Sequence, residues 1–269
     1  MIKVIVTGAA GKMGKLLVKN ILAANDMSLV GATEYEKNPF LGKDAGITAG
    51  LAEANINITS ELSPLLSGTD VLIDFSTGNV LENAKLAVNS GLGVVIGTTA
   101  LSSEQKLELR KLAESGGKIV FSPNMSIGVN LLFSLVEKVA KTLNENYEIE
   151  IVEMHHNQKK DAPSGTATKL VEIAADARNL NLDKDICYGR NGITGARPKH
   201  EIGVHALRGG DVVGEHTVIF AANGERIELT HKASSRETFA HGALEAARFL
   251  QKADPGLYTM QDVLRISKP

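Results

Sequence analysis

Residues 2–34 constrain the fold more than any other stretch. IKVIVT (2–7) is a continuous apolar run ending at a glycine, the pattern of a strand buried on both faces. Gly8-Ala9-Ala10-Gly11-Lys12-Met13-Gly14 follows at once. Met13, Leu16, Leu17, Ile21 and Ala24 then recur at helical spacing, and Ser28 to Thr33 reads as a second strand ending at Glu34, twenty residues beyond Gly14. Strand, glycine turn, helix, strand and acid in this order describe a dinucleotide-binding unit. Gly11 lets the backbone approach a pyrophosphate, Gly14 lets the helix pack closely on the sheet, and Glu34 takes ribose hydroxyls.

The alternation continues downstream. VLIDFS (71–76) is a strand, and Val80 to Val88 a helix with Val80, Ala84 and Ala87 on one side. GVVIGTT (93–99) is a strand with its exit loop, Leu101 to Ala113 a helix, KIVFS (118–122) a strand, and Ile127 to Leu143 an apolar helix. Repeated βα units with right-handed crossovers give a Rossmann-like parallel sheet with its ligand crevice at the carboxyl ends of the strands. The exit loops Phe75-Ser76-Thr77, Gly97-Thr98-Thr99 and Ser122-Pro123-Asn124-Met125 are therefore expected to edge the nicotinamide side, although these are also ordinary turn residues. Asp74 reads as an anchor for its loop or a core hydrogen-bond partner, not a catalyst.

A strand-like run, YEIEIVEM, then leads into HHNQKKDAPSGTA. His155, His156, Lys159, Lys160 and Asp161 stand within seven residues, and a helix is expected over Ala167 to Asn179 with Ser164 or Thr166 as its N-cap. Cations at a strand end beside a helix N-terminus suit a small carboxylate or phosphate next to a proton donor. Adjacent histidines alternate faces on a strand, so one can face the cleft while the other supports it. Lys160 and Asp161 read as solvated or as a local ion pair. A histidine pair also suggests metal, but with one cysteine and no HExxH or C-x-x-C spacing no metal is expected.

Beyond residue 180 the pattern changes. Residues 181–199 lack periodicity and read as a long loop, mobile or intersubunit. GVHALRGG, DVVGEHTVIFAA and ERIELTHKA are strand-like runs broken by Gly209-Gly210 and Asn223-Gly224, so a second domain with a mixed or antiparallel sheet is expected. His205, His216 and His231 on these strands read as packed or at a subunit face. Ser234-Ser235 resembles a cap for a helix through Phe239, Ala243, Ala247 and Leu250. Arg236 at that junction is either a second carboxylate clamp or a surface arginine.

Composition excludes several classes. A net charge of −2 with no basic run argues against nucleic acid, and no 18-residue apolar stretch argues against a membrane span. The chain enters a strand at once, without the features of a signal peptide, and its single cysteine, Cys187, cannot form an internal disulfide, so a cytoplasmic location is expected.

EMHHNQKKDAPSGTA, with GAAGKMG, IDFST, VIGTT, GDVVGEHTV and THKASSR in the same order, resembles the 4-hydroxy-tetrahydrodipicolinate (dihydrodipicolinate) reductase family of lysine and diaminopimelate synthesis over essentially the whole chain. The resemblance implies a homotetramer, a cofactor domain over 1–126 and 237–269, and a substrate and oligomerisation domain over 127–236. It implies His155 as acid/base and Lys159 as proton donor. It places His156, Lys159, Ser164, Gly165, Thr166 and Arg236 on the carboxylates of a small dicarboxylate. Gly8, Ala9, Ala10, Gly11, Lys12, Met13, Glu34, Gly97, Thr98, Thr99, Ser122, Pro123, Asn124 and Met125 would line NADH or NADPH. Two positions depart from the family. Tyr35 follows Glu34 where an arginine is common, and Asn157-Gln158 replace basic residues. Glu34 disfavours a 2′-phosphate that Lys12 and Lys37 would still accommodate, so NADH is expected to serve at least as well as NADPH. Other two-domain dehydrogenases, or a dinucleotide sensor without chemistry, share the glycine turn but not the cationic stretch.

Overall fold

The computed structural model describes residues 1–98 and 101–266. Its elements begin with β1 (Ile2–Thr7), α1 (Lys12–Ala23), β2 (Met27–Thr33), α2 (Ala45–Thr48), β3 (Ile58–Thr59), β4 (Val71–Asp74), α3 (Val80–Asn89), β5 (Gly93–Ile96), α4 (Ser103–Glu114) and β6 (Lys118–Phe121). Next come α5 (Ile127–Thr142), β7 (Glu148–His155), α6 (Gly165–Arg178), β8 (Ile186–Tyr188), β9 (Ile202–Arg208), β10 (Gly214–Ala222) and β11 (Glu225–Ala233). The chain closes with α7 (Glu237–Leu250), β12 (Gly256–Tyr258) and α8 (Met260–Val263). Two compact units result. The first joins Met1–Ile127 to Arg236–Arg265, and the second is built on Gly128–Ser235.

In the first unit seven parallel strands run in the order β12-β6-β5-β4-β1-β2-β3. Strand alternation divides the core. Val4, Val6, Ile73, Val95 and Val120 point to one face, where Leu17, Val18 and Ile21 of α1 and Ala243, Leu244, Ala247 and Leu250 of α7 cover them. Ile5, Leu72, Val94, Ile96 and Ile119 point to the other, under α3 and α4. The α/β architecture read from the sequence is thus the one observed. The reading missed α2, β3 and β12, elements of two to four residues that are too short to show a period. Asp44 caps α2, its carboxylate accepting the N–H groups of Ile47, Ala54 and Ile56 at 3.0 Å each.

The second unit is a five-stranded mixed sheet ordered β11-β10-β7-β9-β8. β7 pairs antiparallel with β10 and parallel with β9. α5 and α6 cover one face through Leu132, Phe133, Val136, Leu170, Val171 and Ala174, against Ile149, Ile151, Ile202, Val204, Val218 and Phe220. The stretch 181–199 departs from the expected structureless loop. It carries β8, paired with β9. Arg190 and Arg197 also tie it to Glu150, with Arg190 Nη2 and Arg197 Nε each 2.8 Å from Oε1. The Cys187 thiol donates to the Gly189 carbonyl at 3.1 Å. The cap expected at Ser234-Ser235 lies instead at Arg236, which makes no capping side-chain bond.

Candidate active site

At one end of the second sheet the helix-covered face changes from apolar to polar. Along β7 that face carries Ile149, Ile151, Glu153 and His155. The register brings Ile202, Val204, Ala206 and Arg208 of β9 and Phe220, Val218, His216 and Gly214 of β10 to the same side. Glu153 stands directly opposite His216. The cluster therefore lies where the core ends, beside the N-terminus of α6.

Glu153 is its hub and is fully buried. Arg208 grips it bidentately, Nη1 to Oε2 and Nη2 to Oε1 at 2.9 Å each. Its Oε1 also accepts the Ser164 N–H at 3.0 Å, and its Oε2 lies 2.6 Å from His155 Nδ1. Burial pushes Glu153 up, but Arg208, His155 and the Ser164 N–H outweigh it and hold the carboxyl below its ordinary range. Burial draws His155 below the usual histidine value against the pull of Glu153. The His216 ring meets that of His155 edge-on at 5.2 Å, and burial, with His155 beside it, lowers His216 to about 4.

The turn after β7 carries the lysines. Lys159 Nζ donates to both carboxylate oxygens of Asp161 at 2.9 Å. Of the two readings for Lys160 and Asp161, Lys160 is the solvated residue, exposed at the surface, while Asp161 takes Lys159 as its ion-pair partner. The Lys159 ammonium holds the Asp161 carboxyl below its usual range. Arg208 reaches this turn as well, donating from Nη2 to the Asp161 carbonyl at 2.6 Å. His156 follows the strand and is half-buried, its carbonyl accepting the Lys159 N–H at 3.1 Å.

Ser164, not Thr166, caps α6, which begins at Gly165 and Thr166. Ser164 Oγ accepts the Ala167 N–H at 3.2 Å and lies 3.0 Å from His216 Nε2, and the residue is only 2% exposed. Its hydroxyl is engaged within the protein, so its part is to build the helix terminus. Arg236 is exposed at the start of α7. Among the described residues no group of three or more His, Cys, Asp or Glu is arranged to hold a metal ion.

In the first unit the parallel strands bring the nucleotide candidates to one sheet edge. Gly8 adopts the left-handed φ of +71° and sits against Ser76, while Gly11 caps α1 without a side-chain bond. A Cβ on Gly14 would strike the Gly8 carbonyl and the Ala9 backbone. Ala9 donates to the Thr33 carbonyl at 3.1 Å and Ala10 to Glu34 Oε1 at 2.9 Å, so the acid at the end of β2 holds the turn. Lys12 and Met13 open α1, its positive end. Asp74 is an anchor, as read: Oδ1 accepts the Ser76 N–H at 2.8 Å and Oδ2 the Asn83 amide at 2.9 Å. Gly97 leaves its side-chain space to the Phe75 ring, and Thr98 beside it is buried. Thr99 lies outside the described residues. Ser122 Oγ donates to the Asn124 carbonyl at 2.8 Å, Pro123 is exposed, and Met125 is buried in the core with its carbonyl against Gly242. An uncapped helix start behind a glycine turn, with a carboxylate at the next strand end, fits a dinucleotide.

Two family models match nearly end to end: "Dihydrodipicolinate reductase, N-terminus" over residues 2–125 and "Dihydrodipicolinate reductase, C-terminus" over residues 128–264. The chain belongs to the dihydrodipicolinate reductase family. A 4-hydroxy-tetrahydrodipicolinate reductase of Syntrophotalea carbinolica is 48% identical over 265 residues, covering 98% of this chain and 99% of that one. A dipicolinate-bound dihydrodipicolinate reductase from Paenisporosarcina sp. TG-14 superposes with a TM-score of 0.79 at 26% identity, over 99% of this chain and 100% of that one. An amine dehydrogenase from Mycobacterium smegmatis shares the fold alone, with a TM-score of 0.59 at 13% identity, over 96% and 95% of the chains. The fold therefore extends beyond the dihydrodipicolinate reductases, and the cluster around Glu153 and Lys159 must carry the functional argument.

Sequence reasoning missed Glu153, Arg208 and His216 as site residues. The available signal was charge on an inward strand position. Glu153 follows Ile149 and Ile151 at period two, and a carboxylate there requires a buried partner.

Proposed function

We propose that this dihydrodipicolinate reductase family member is an NAD(P)H-dependent reductase of 4-hydroxy-tetrahydrodipicolinate, acting in lysine and diaminopimelate synthesis. The observation that supports the reading is that His155 and Lys159 stand at the end of the second sheet, each held by a carboxylate, Glu153 and Asp161, with Arg208 bonded to both of those residues. Loss of water from the substrate gives an unsaturated ring, which takes a hydride at C4 and a proton. The turn Gly8 to Met13, Glu34 and the exit loops at Gly97 to Thr99 and Ser122 to Met125 would hold a nicotinamide cofactor, which would supply the hydride. Lys159 delivers the proton, and His155 serves as acid/base. His156, Gly165, Thr166 and Arg236 hold the two carboxylates, with Ser164 building the helix end that faces them.

The open face of the second sheet, with half-exposed Val152, Met154 and Ile219 and exposed Leu207, would carry the contacts of a homotetramer. No helix among the described residues is long and apolar enough to cross a membrane, and a cytoplasmic enzyme is the reading we favour.

The test is oxidation of NADH or NADPH by the pure protein, with substrate made in place from pyruvate and aspartate semialdehyde by the preceding synthase. Turnover blocked by pyridine-2,6-dicarboxylate and lost in Lys159→Ala, with NADH binding retained, supports the assignment. NADH binding without turnover refutes it.

A further inference from the structure

We propose that Glu153, clamped by Arg208, is the positioning residue of His155: it fixes the imidazole with its Nδ1–H on the carboxylate and leaves the Nε2 lone pair for proton transfer. This inference rests on the acid/base reading of His155 and adds two residues that sequence reasoning did not assign.

The chemistry of the contact decides the tautomer. Glu153 is fully buried, and the guanidinium paired to it keeps it ionised, so both its oxygens only accept. The 2.6 Å contact to His155 Nδ1 therefore has the histidine as donor. A neutral His155 then carries its single N–H on Nδ1 and its lone pair on Nε2. The ring is confined on its other edges. A side chain at Gly214 would crowd Nε2, and His216 stands edge-on at 5.2 Å.

A purely structural role would need less. Arg208 and the Ser164 N–H already give Glu153 three donors that join β7, β9 and the start of α6. The fourth donor is the residue placed at the chemistry. Arg208 does a second thing, since the Nη2 that holds Glu153 also holds the Asp161 carbonyl, and Asp161 in turn carries Lys159. One ion pair, buried on its carboxylate side, thus sets the position of both groups.

The charged and titratable groups facing His155 are Glu153 on its own strand, Arg208 on β9, His216 on β10 and Lys159 in the following turn. Glu153 favours the imidazolium, and burial, Lys159 and Arg208 oppose it. Removing the carboxylate and removing the guanidinium must therefore move His155 in opposite directions.

Three measurements on the full-length protein test this: kcat and KM for the dicarboxylate, the pH–rate profile, and ¹H–¹⁵N correlations of histidine-labelled protein, with His155 assigned through His155→Gln. In the wild type His155 should show the Nδ1–H tautomer. Glu153→Gln should lose about 10- to 10²-fold in kcat with little change in KM, and the limb set by His155 should move to lower pH. Arg208→Met should move that limb to higher pH, and Glu153→Asp should recover part of the loss in kcat. An Nε2–H tautomer in the wild type, a Glu153→Gln enzyme within about twofold of wild-type kcat, or limbs that shift in the same direction in both variants would each overturn the proposal. Should Glu153→Gln fail to fold, the wild-type tautomer and Arg208→Met decide. The tautomer is read without substrate, so a wild type that turns over no dicarboxylate would refute the proposed function and leave the Glu153–His155 relation standing.

Discussion

Gly203 lies directly beneath the carboxylate of Glu150 on the neighbouring strand. The two are register partners in the β7–β9 pair, and a Cβ on Gly203 would overlap the Glu150 carboxyl group. The vacancy lets that carboxylate gather Arg190, Arg197 and His205, the last with Nε2 2.8 Å from Oε2. Gly203→Ala should therefore displace the carboxylate and cost about 1–3 kcal/mol. Denaturant unfolding with limited proteolysis checks this. Cleavage should appear between Gly189 and Glu201, and unchanged stability with no new cleavage would show that the overlap relaxes freely.

The same carboxylate makes stability depend on pH at the acid end. Burial pushes Glu150 up, but Arg190, Arg197 and His205 bring it down from 4.5 to about 2. A depressed carboxyl contributes above its unfolded value and loses that contribution as pH falls through the folded one, so the window runs from 4.5 down to about 2. With solvent screening of a partly exposed network the effect should be about 1–2 kcal/mol. Glu150→Gln should be less stable than wild type at neutral pH and converge on it towards pH 2.

His216 acts in the next window up. Its folded value of about 4 lies below its ordinary 6.5, chiefly because it is buried. Charging it therefore favours the unfolded chain, and stability that is complete above pH 6.5 declines as pH falls towards 4. The full linkage amounts to roughly 3 kcal/mol. His216→Gln can still bond Ser164 Oγ but cannot titrate. Because His155 and His231 are also held below their ordinary value by burial and still titrate, the variant's melting temperature should fall clearly less than the wild type's between pH 7 and pH 5. Parallel curves would sink the assignment.

Glu34 holds the Ala10 N–H, and in the proposed cofactor site its carboxylate would meet the negative charge of a 2′-phosphate. We expect kcat/KM for NADH to equal or exceed that for NADPH. Glu34→Gln should shift the ratio towards NADPH by about tenfold, the worth of one removed like-charge contact. A wild type that strongly prefers NADPH contradicts this account.

The first unit was legible because its strands are unbroken apolar runs that alternate with periodic helices. IKVIVT, VLID and GVVI are strands buried on both faces, and Leu17, Ile21, Ala84 and Leu109 repeat at helical spacing around them. β3 and β12 left no trace, since two or three residues form a strand only when a neighbour offers an edge. In the site, His155 and Lys159 stood out by local crowding of charge. Arg208 and His216 did not, because they join Glu153 only through β7–β9 and β7–β10 pairing. Ser164 was visible as a helix start, but its bond to His216 spans 52 residues and is invisible to spacing.

The division of the first unit between the two ends of the chain sets an order of birth. Leu244, Ala247 and Leu250 share a core with Val4, Val6 and Leu17, and β12 completes the sheet beside β6. A ribosome emits all of Gly128–Ser235 before it reaches them. The central unit therefore emerges with every strand of its own sheet, while the older N-terminal sheet waits with α1 over part of that face and Ile73, Val95 and Val120 still without their α7 cover. During synthesis the part made first is the part finished last, and its uncovered apolar face is the surface a nascent-chain chaperone would meet.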